Sequence, residues 1–509
     1  MTSLSKSALW IKMQEYYHNI GPDAWQNELV PLQISSNKNL ALAYANIIIG
    51  QINDWYMQNP KNSQEQQEPF YIIEIGTGHG KFGFYVLKCL QELLVNYLLP
   101  ISIIKFIMTD VAEKNIKSWQ QHPAFKPWLD AGNLDFAVFN AMSDQELNLL
   151  HSGTKIKSQG LNKPVFMLCN YLFDSLSHDA FQVREHKLHE VQIKITGDAD
   201  WEEYFAEAKF SYTYQPVSTD YYPDPNLNKI LSYYQANLTN GTFMIPVGGI
   251  DCINTVKKLS TQHLVLLLAD KGQASIYLLD DLTEPDIDIH GSISLMVNFD
   301  ALKQYFININ GDALLMPNKS SDFQVACFST EHKHATPHTT HAFTQTLSGA
   351  GPQDIINLCY YDDEVNSNFK NLDQLLAMMN LTYWDPNVFY DMHEMIIDQI
   401  EAEEISIEQD KALLSGAKIV WDYFFKLEKN QDLPFALASL YYALDEYEIA
   451  ISFYKLSVQE FGPNAENLYN LAISYQAMDN LDNAKKYAEQ SLMIDAKYTA
   501  AKELLAEMA

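Results

Sequence analysis

The run Glu74-Ile75-Gly76-Thr77-Gly78-His79-Gly80 is where residue types and spacing in this chain point most directly to chemistry. An apolar stretch, Phe70 to Ile75, leads into it, and a helical pattern, Lys81 to Leu98, leaves it. Strand, glycine turn and helix N-terminus together form a cradle. The glycines let backbone approach a ligand, and the unpaired N–H groups of the first helical turn face its carboxylate or phosphate. A dinucleotide fingerprint reads G-x-G-x-x-G, whereas here the third glycine comes one position early. A nicotinamide or flavin site and a plain structural turn are the competing readings.

Three further strand ends carry candidates. Ile101 to Met108 leads to Thr109-Asp110, where an acid can accept hydrogen bonds from both hydroxyls of a ribose. Leu134 to Phe139 leads to Asn140-Ala141. The Asn140 carboxamide both donates and accepts, which suits an adenine edge and equally suits a turn. Val165 to Cys169 leads to Asn170-Tyr171-Leu172-Phe173-Asp174, beside the first strand at the topological switch, where an acceptor would meet the reactive end of a cofactor. Asp174 is the candidate for orienting or deprotonating that acceptor and Tyr171 for facing it, with a helix N-cap as the structural alternative for Asp174.

These strand ends need a parallel sheet to hold them. From about Leu40 to Phe181 short apolar runs alternate with helical stretches at Lys81 to Leu98 and Val111 to Gln121, the pattern of βαβ units in a doubly wound sheet, with a less regular stretch from Asp144 to Asn162. The middle, to about Asp362, is richer in β-like runs such as Glu190 to Thr196, His263 to Ala269 and Ser275 to Leu279, and reads as completing the sheet and adding an inserted β-rich subdomain. From about Asn371 only helical periodicity remains. The expected fold class is thus α/β, a Rossmann-like sheet with an inserted β-rich subdomain, followed by an all-α module. The expected domains are residues 1–370, with a core at about 40–310, an acidic helical connector over 371–430, and repeats over 431–509.

Within 431–509, Leu437 recurs as Leu471, Ala438 as Ala472, Tyr441 as Tyr475, Ala450 as Ala484 and Ser457 as Ser491, at the roughly 34-residue period of tetratricopeptide units. Small residues recur where paired helices approach closely and large ones where pairs stack. Helices from about Asp410 to Lys429 and from Thr499 to Met508 are expected to complete the stack. Such modules bind a peptide or partner protein, and the alternative is a module that packs on the rest of the chain or makes a homodimer. Residues 391–410 hold eight carboxylates and no Lys or Arg, which reads as a solvated helix face.

Composition narrows the function classes. The net charge is -30 and Arg184 is the one arginine, so the forked cations that grip phosphates are scarce and nucleic acid is excluded as a partner. No apolar run is long enough for a membrane span, so no membrane partner is expected. Five cysteines without paired spacing suit reduced thiols in a cytoplasmic protein. His332, His334, His338 and His341 lie in a Thr-rich stretch, and Pro337 between them argues for a polar loop rather than a helix presenting imidazoles, so no metal site is expected.

The E-x-G-x-G-x-G form resembles motif I of class I methyltransferases. Asn170-Tyr171-Leu172-Phe173-Asp174-Ser175-Leu176, followed by Phe181-Gln182-Val183, resembles the Asn-Glu-Phe-Phe-Asp-Ala-Leu-Pro segment of the MidA family, whose mitochondrial members methylate an arginine during assembly of respiratory complex I. Leu266 to Gly272 is similar to that family's Leu-Leu-Asp-Tyr-Gly strand end, and Ile293 to Leu302 to its Asp-Ile-Thr-Ala-His-Val-Asp-Phe segment. The likeness spans roughly residues 15 to 310 and does not reach the repeats. It implies S-adenosylmethionine as cofactor, held by Glu74, Gly76, Thr77, Gly78, Gly80, Asp110, Asn140, Ala141 and Asn170. Tyr171 stands where the family has Glu, and Ser292, Met296 and Asn298 stand where it has Asp, His and Asp. Carboxylates that would hold a guanidinium are therefore missing, which points to a different acceptor. The expected function is a methyltransferase acting on a protein delivered by the repeats; the alternatives are a non-catalytic adaptor on a degenerate methyltransferase fold and a small-molecule methyltransferase.

Overall fold

The computed structural model describes the chain apart from residues 22–35, 61–67, 197–207, 281, 286, 291, 318–321, 332–335, 350, 352–353, 355–357, 359–368, 370, 428–430 and 509. It divides into two compact units, Met1–Asp354 and Ile355–Ala509.

Near-continuous apolar runs make strands that can be buried on both faces, and this is how the first unit is built. Its main sheet contains β1 (Phe70–Ile75), β2 (Ile104–Asp110), β3 (Leu134–Val138), β4 (Val165–Asn170), β5 (Leu264–Gln273), β6 (Asp312–Leu315) and β7 (Phe323–Ser329), in the order β6-β7-β5-β4-β1-β2-β3. The strands from β5 to β3 along this order are parallel, while β7 runs antiparallel between β5 and β6. Every residue of β2 is buried. Strand order reverses across the parallel neighbours β1 and β4, with β2 and β3 to one side and β5 to the other; there Ile73 pairs with Met167 and Glu74 with Leu168. That reversal opens a crevice at the carboxyl ends of the two strands.

Helices α1 (Leu9–Ile20), α2 (Lys38–Gln58), α3 (Lys81–Asn96) and α4 (Glu113–Gln121) belong to this unit. A smaller antiparallel sheet, the inserted β-rich part, joins Asp179–Arg184, Lys187–Thr196, Lys209–Pro216 and Asn240–Ile245, and Thr2–Ser3 adds an edge to it by pairing with Ile193 and Gln192. Along α1 the apolar residues Leu9, Trp10, Met13 and Tyr16 fall on one face and pack with Val191, Ile193 and Met244 of that sheet and with Ile293 and Leu295.

Three sequence expectations are corrected here. Residues Ile101–Ile103 form a 3-10 turn after Pro100, whose fixed φ starts a turn, so β2 begins only at Ile104. Ser275 to Leu279 is not a strand: the Ser275 hydroxyl accepts from the Tyr277 N–H and a 3-10 turn, Ile276–Leu278, replaces the ladder. The histidine-rich stretch is not a loop beyond Pro337, because α5 (Pro337–Leu347) starts there. Proline at the first helical position lacks only an N–H that would have no intrahelical partner. Buried Asp54 of α2 accepts from the N–H groups of His338 and Thr339, placing an anion at the positive end of α5. His332 and His334 lie outside the described residues, and among those described no group of His, Cys, Asp and Glu is arranged to hold a metal.

The second unit is helical throughout its described length. Helices Leu372–Leu381, Pro386–Ala402 and Ile407–Asp422 share one apolar core with α6 (Leu433–Ala443), α7 (Tyr447–Phe461) and α8 (Ala465–Ala477). Next come α9 (Leu481–Ile494) and a last helix, Thr499–Glu507. The recurring residues Leu437 and Leu471, Ala438 and Ala472, Ala450 and Ala484, Ser457 and Ser491 are all buried. Ser457 donates to Asp432, the N-cap of α6, and Ser491 donates to the Ala465 carbonyl at the start of α8, so each helix pair is tied at the same corner. The acidic run at 391–410 is solvated: all its carboxylates are exposed except half-buried Asp410. No described helix is long and apolar enough to cross a membrane.

Candidate active site

The turn after β1 uses glycine where other residues would be strained. Gly76, Gly78 and Gly80 have φ of 66°, 62° and 92°, a region costing an L-residue roughly 1–2 kcal/mol. A Cβ on Gly76 would also sit 2.9 Å from the Leu172 side chain, and one on Gly80 would sit 3.0 Å from Trp119. The turn is held from the next strand and helix. Thr77 N donates to the Thr109 carbonyl at 2.9 Å, the Thr109 hydroxyl donates to the Glu74 carbonyl at 2.8 Å, and Trp119 Nε1 of α4 donates to the Gly78 carbonyl at 2.9 Å.

One cavity opens beside this turn. It is lined by Glu74, Gly76, Thr77 and His79 from the glycine turn, Asp110 and Asn115 from the end of β2 and from α4, Asn140 and Ala141 after β3, and Asn170 and Tyr171 after β4. Eight of the residues singled out from sequence thus meet at one place. Gly78, Gly80 and Asp174 do not line it; the two glycines shape the turn instead.

Asp110 is more heavily engaged than a ribose-facing acid would be. Its Oδ2 accepts from Gly78 N and Asn115 Nδ2, both at 3.0 Å, and its Oδ1 accepts from Ala112 N at 2.9 Å. These bonds use about three of the roughly four acceptor positions of a carboxylate. Burial pushes its pKa up, and the same donors pull it back. Glu74 lies fully inside, with the Thr77 hydroxyl 3.1 Å from Oε2, and burial raises its pKa to about 8. It therefore holds its proton at neutral pH. His79 behaves in the opposite sense: burial, then the nearby Lys81 ammonium, lower it to about 3, so the neutral ring accepts from Lys81 N at 2.9 Å.

Asn140 takes the turn reading and also lies at the cavity. Its Oδ1 closes a turn by accepting from Met142 N at 3.1 Å, while the residue still lines the cavity. Asn170 is oriented by Tyr44 of α2, whose hydroxyl donates to Asn170 Oδ1 at 2.8 Å. Tyr171 takes a left-handed conformation with φ of 48° and stacks on Phe323 of β7 at 5.7 Å between ring centroids.

The role expected for Asp174 needs correcting in its geometry. The residue is buried within a 3-10 turn, Phe173–Ser175, and is not an N-cap. Below that turn Asp270, at the end of β5, accepts from the backbone N–H groups of Leu172, Phe173 and Asp174 at 3.1, 2.8 and 3.3 Å. Burial, with the Asp174 carboxyl beside it, pushes the Asp270 pKa well above the ordinary carboxylate range, and the donated N–H groups pull it back. Burial raises Asp174 to about 7, and its Oδ1 has no hydrogen-bond partner. Asp270 thus fixes the turn that follows Tyr171 at the cavity. Asn298, in the position of a family acid, is also structural: it caps the helix Phe299–Asn308 by accepting from Ala301 N.

Sequence reasoning missed the wall made by Met13, Gln14 and Tyr17 of α1 and by His79, and it missed Tyr44, which orients Asn170. The amphipathic spacing of α1 was visible, but nothing in it told where the helix would dock. His79 lay within the motif itself, and its burial was the missing fact.

A chain whose glycines leave room at the crevice, with donors and acceptors from four strand ends around it, fits an adenosine-bearing cofactor. No curated protein matches this chain. Among solved structures, an uncharacterised superfamily protein from Burkholderia thailandensis is 11% identical with a TM-score of 0.39, covering 65% of this chain and 89% of its own. A superfamily member from the same organism bound to S-adenosyl-homocysteine is 10% identical with a TM-score of 0.35, covering 69% and 92%. The CurJ carbon methyltransferase is 10% identical with a TM-score of 0.26, covering 56% and 54%. Residues 51–280, which contain the glycine turn and all four strand ends, match a family described as "Putative S-adenosyl-L-methionine-dependent methyltransferase". The match likens this part of the chain, less than half of its length, to S-adenosylmethionine-dependent methyltransferases, whose cofactor is S-adenosylmethionine.

Proposed function

We propose that the chain transfers a methyl group from S-adenosylmethionine to an acceptor carried by a protein, and that the helical repeats engage that protein. The observation that carries the reading is the single cavity shared by the glycine turn, Asp110, Asn140 and the Asn170-Tyr171 turn. In it, the turn from Glu74 to Gly80 would receive the amino-acid end of the cofactor, Asp110 its ribose and Asn140 with Ala141 its adenine. When bound, the cofactor supplies a methyl on a cationic sulfur. The chain then has to hold the acceptor in line with it, keep water out and leave a route for the acceptor's proton. Tyr171 and the turn that contains Asp174 and rests on Asp270 do the positioning on the acceptor side. Support for a protein acceptor comes from the repeats: two helix pairs with the same buried small residues form the kind of stack that presents a surface to a partner.

Calorimetric titration of the full chain with S-adenosylmethionine and S-adenosylhomocysteine tests the cofactor half of this reading. Binding is expected in the wild type and its loss in Gly78→Arg, which fills the turn; a wild type that binds neither ligand removes the enzyme reading and leaves an adaptor. Incubation with methyl-tritiated cofactor and a cell extract tests the acceptor half. Label is expected in the protein fraction, and label confined to small molecules would exclude a protein acceptor.

A further inference from the structure

We infer that the acceptor is an uncharged group carried on an apolar or aromatic scaffold, seated between helix α1 and the turn after β4; this rests on the methyltransferase reading above. With the ribose end at Asp110 and the adenine end at Asn140, the remaining part of the cavity lies past the glycine turn. There Met13 and Tyr17 of α1 line it together with Tyr171, Leu172 and Leu176. Met13 and Tyr17 are one helical turn apart and so present one continuous face. That face is fixed rather than adaptable. Met13 is buried, Trp10 of the same helix donates to the Leu4 carbonyl at 2.8 Å, and the helix packs on the inserted sheet. Of the other residues around the cavity, Tyr171 is held by its stack on Phe323, and Leu172 touches the space that Gly76 leaves open.

Charge sorts the possible acceptors. A guanidinium or ammonium would sit beside the cationic sulfur and would need a carboxylate to offset the repulsion. Among the described residues the carboxyl groups lining the cavity are Glu74 and Asp110, both on the glycine-turn side. Glu74 is kept protonated by burial, and Asp110 is tied to Gly78, Ala112 and Asn115. An anionic acceptor meets the converse obstacle, because no described Lys or Arg lines the cavity and His79 is neutral. Polar groups that can orient an uncharged hydroxyl or amide are Gln14 and, as an acceptor while it donates to the Leu172 carbonyl, the Ser175 hydroxyl.

The test uses full-length protein saturated with S-adenosylhomocysteine, whose prior titration shows separately whether the cofactor reading stands. Saturation-transfer NMR is then recorded with p-cresol and with N-methylguanidine. A p-cresol signal without one from N-methylguanidine is expected. Leu176→Glu and Tyr17→Glu, at half-buried positions, are each expected to cut the p-cresol signal about fivefold or more by placing a carboxylate in the apolar slot, with S-adenosylhomocysteine affinity changed less than about twofold. Either variant suffices if the other fails to fold. N-methylguanidine binding to the wild type, binding of neither probe, or p-cresol binding indifferent to both variants overturns the inference.

Discussion

Asp110 and Gly78 are joined by a 3.0 Å hydrogen bond from loop N–H to carboxylate, which makes the end of β2 a support for the glycine turn as well as a wall of the cavity. The same carboxylate holds Ala112 and Asn115, so three segments converge on one side chain.

Replacing Asp110 by Asn sets an NH2 against one of those donors and leaves it buried without an acceptor, at a cost of about 1–3 kcal/mol. We expect urea unfolding of Asp110→Asn to show that loss, and titration with S-adenosylhomocysteine to show affinity reduced about tenfold or more. Unchanged stability would mean that the turn stands without this support.

Glu74 and His79 should leave opposite marks on the pH dependence of stability. The folded-state pKa of Glu74 is raised to about 8, so the folded protein holds a proton that the unfolded chain releases at about pH 4. Its contribution is complete below the unfolded pKa and is lost as pH rises to about 8. His79, lowered to about 3, contributes fully above the unfolded value and loses that as pH falls to about 3. Above about pH 6.5 only the Glu74 effect of the two remains, with a slope of up to about 1.4 kcal/mol per pH unit. Denaturant melts between neutral pH and pH 8 are expected to show stability falling in the wild type and a flatter profile in Glu74→Gln; parallel profiles would argue against a protonated Glu74.

Tyr44 lies on α2, yet its hydroxyl orients Asn170 across the crevice. Tyr44→Phe keeps the buried ring and removes about 1 kcal/mol of hydrogen bonding. Affinity for S-adenosylhomocysteine is expected to fall about fivefold, with a thermal midpoint only slightly lowered. Equal affinity in the two proteins would show that Asn170 is held by other contacts.

In the second unit, Gly416 faces the ring of Trp384, and a Cβ there would lie 2.2 Å from it. Helix propensity alone favours alanine by about 1 kcal/mol, but overpacking costs about 1–3 kcal/mol. Crowding against a six-membered ring in a filled core should win, so Gly416→Ala is expected to lower the thermal midpoint of the helical circular dichroism signal. A raised midpoint would mean that Trp384 moves aside cheaply.

The parallel sheet was legible because its strands are short apolar runs ending in turn residues: β1 falls on the stretch read from sequence, and β4 extends one residue further, to Asn170. The repeat was legible for a related reason, since Ala438, Ala450 and Ser457 recur where close helix packing leaves no alternative. Local competition defeated the pattern elsewhere. The Ser275 hydroxyl and Pro100 each impose a turn within a run of β-forming residues, and Pro337 begins a helix because Asp54, distant in sequence, caps it. In the site, residue types announced the glycine turn and the strand ends. They could not announce that Asp174 would be buried above Asp270, or that α1 would supply a wall, because both depend on contacts between distant segments.

The pairing of Thr2 with Ile193 has a consequence for the order in which the molecule is made. Thr2 and Ser3 have no sheet edge to join until Gln192 and Ile193 have been synthesised, and non-local pairing of this kind is slow. Until then the apolar face of α1, Leu9, Trp10, Met13 and Tyr16, stays uncovered. The face of α1 thus stays adhesive in the nascent chain until the inserted sheet has formed, and chaperone demand during translation should be raised by that segment.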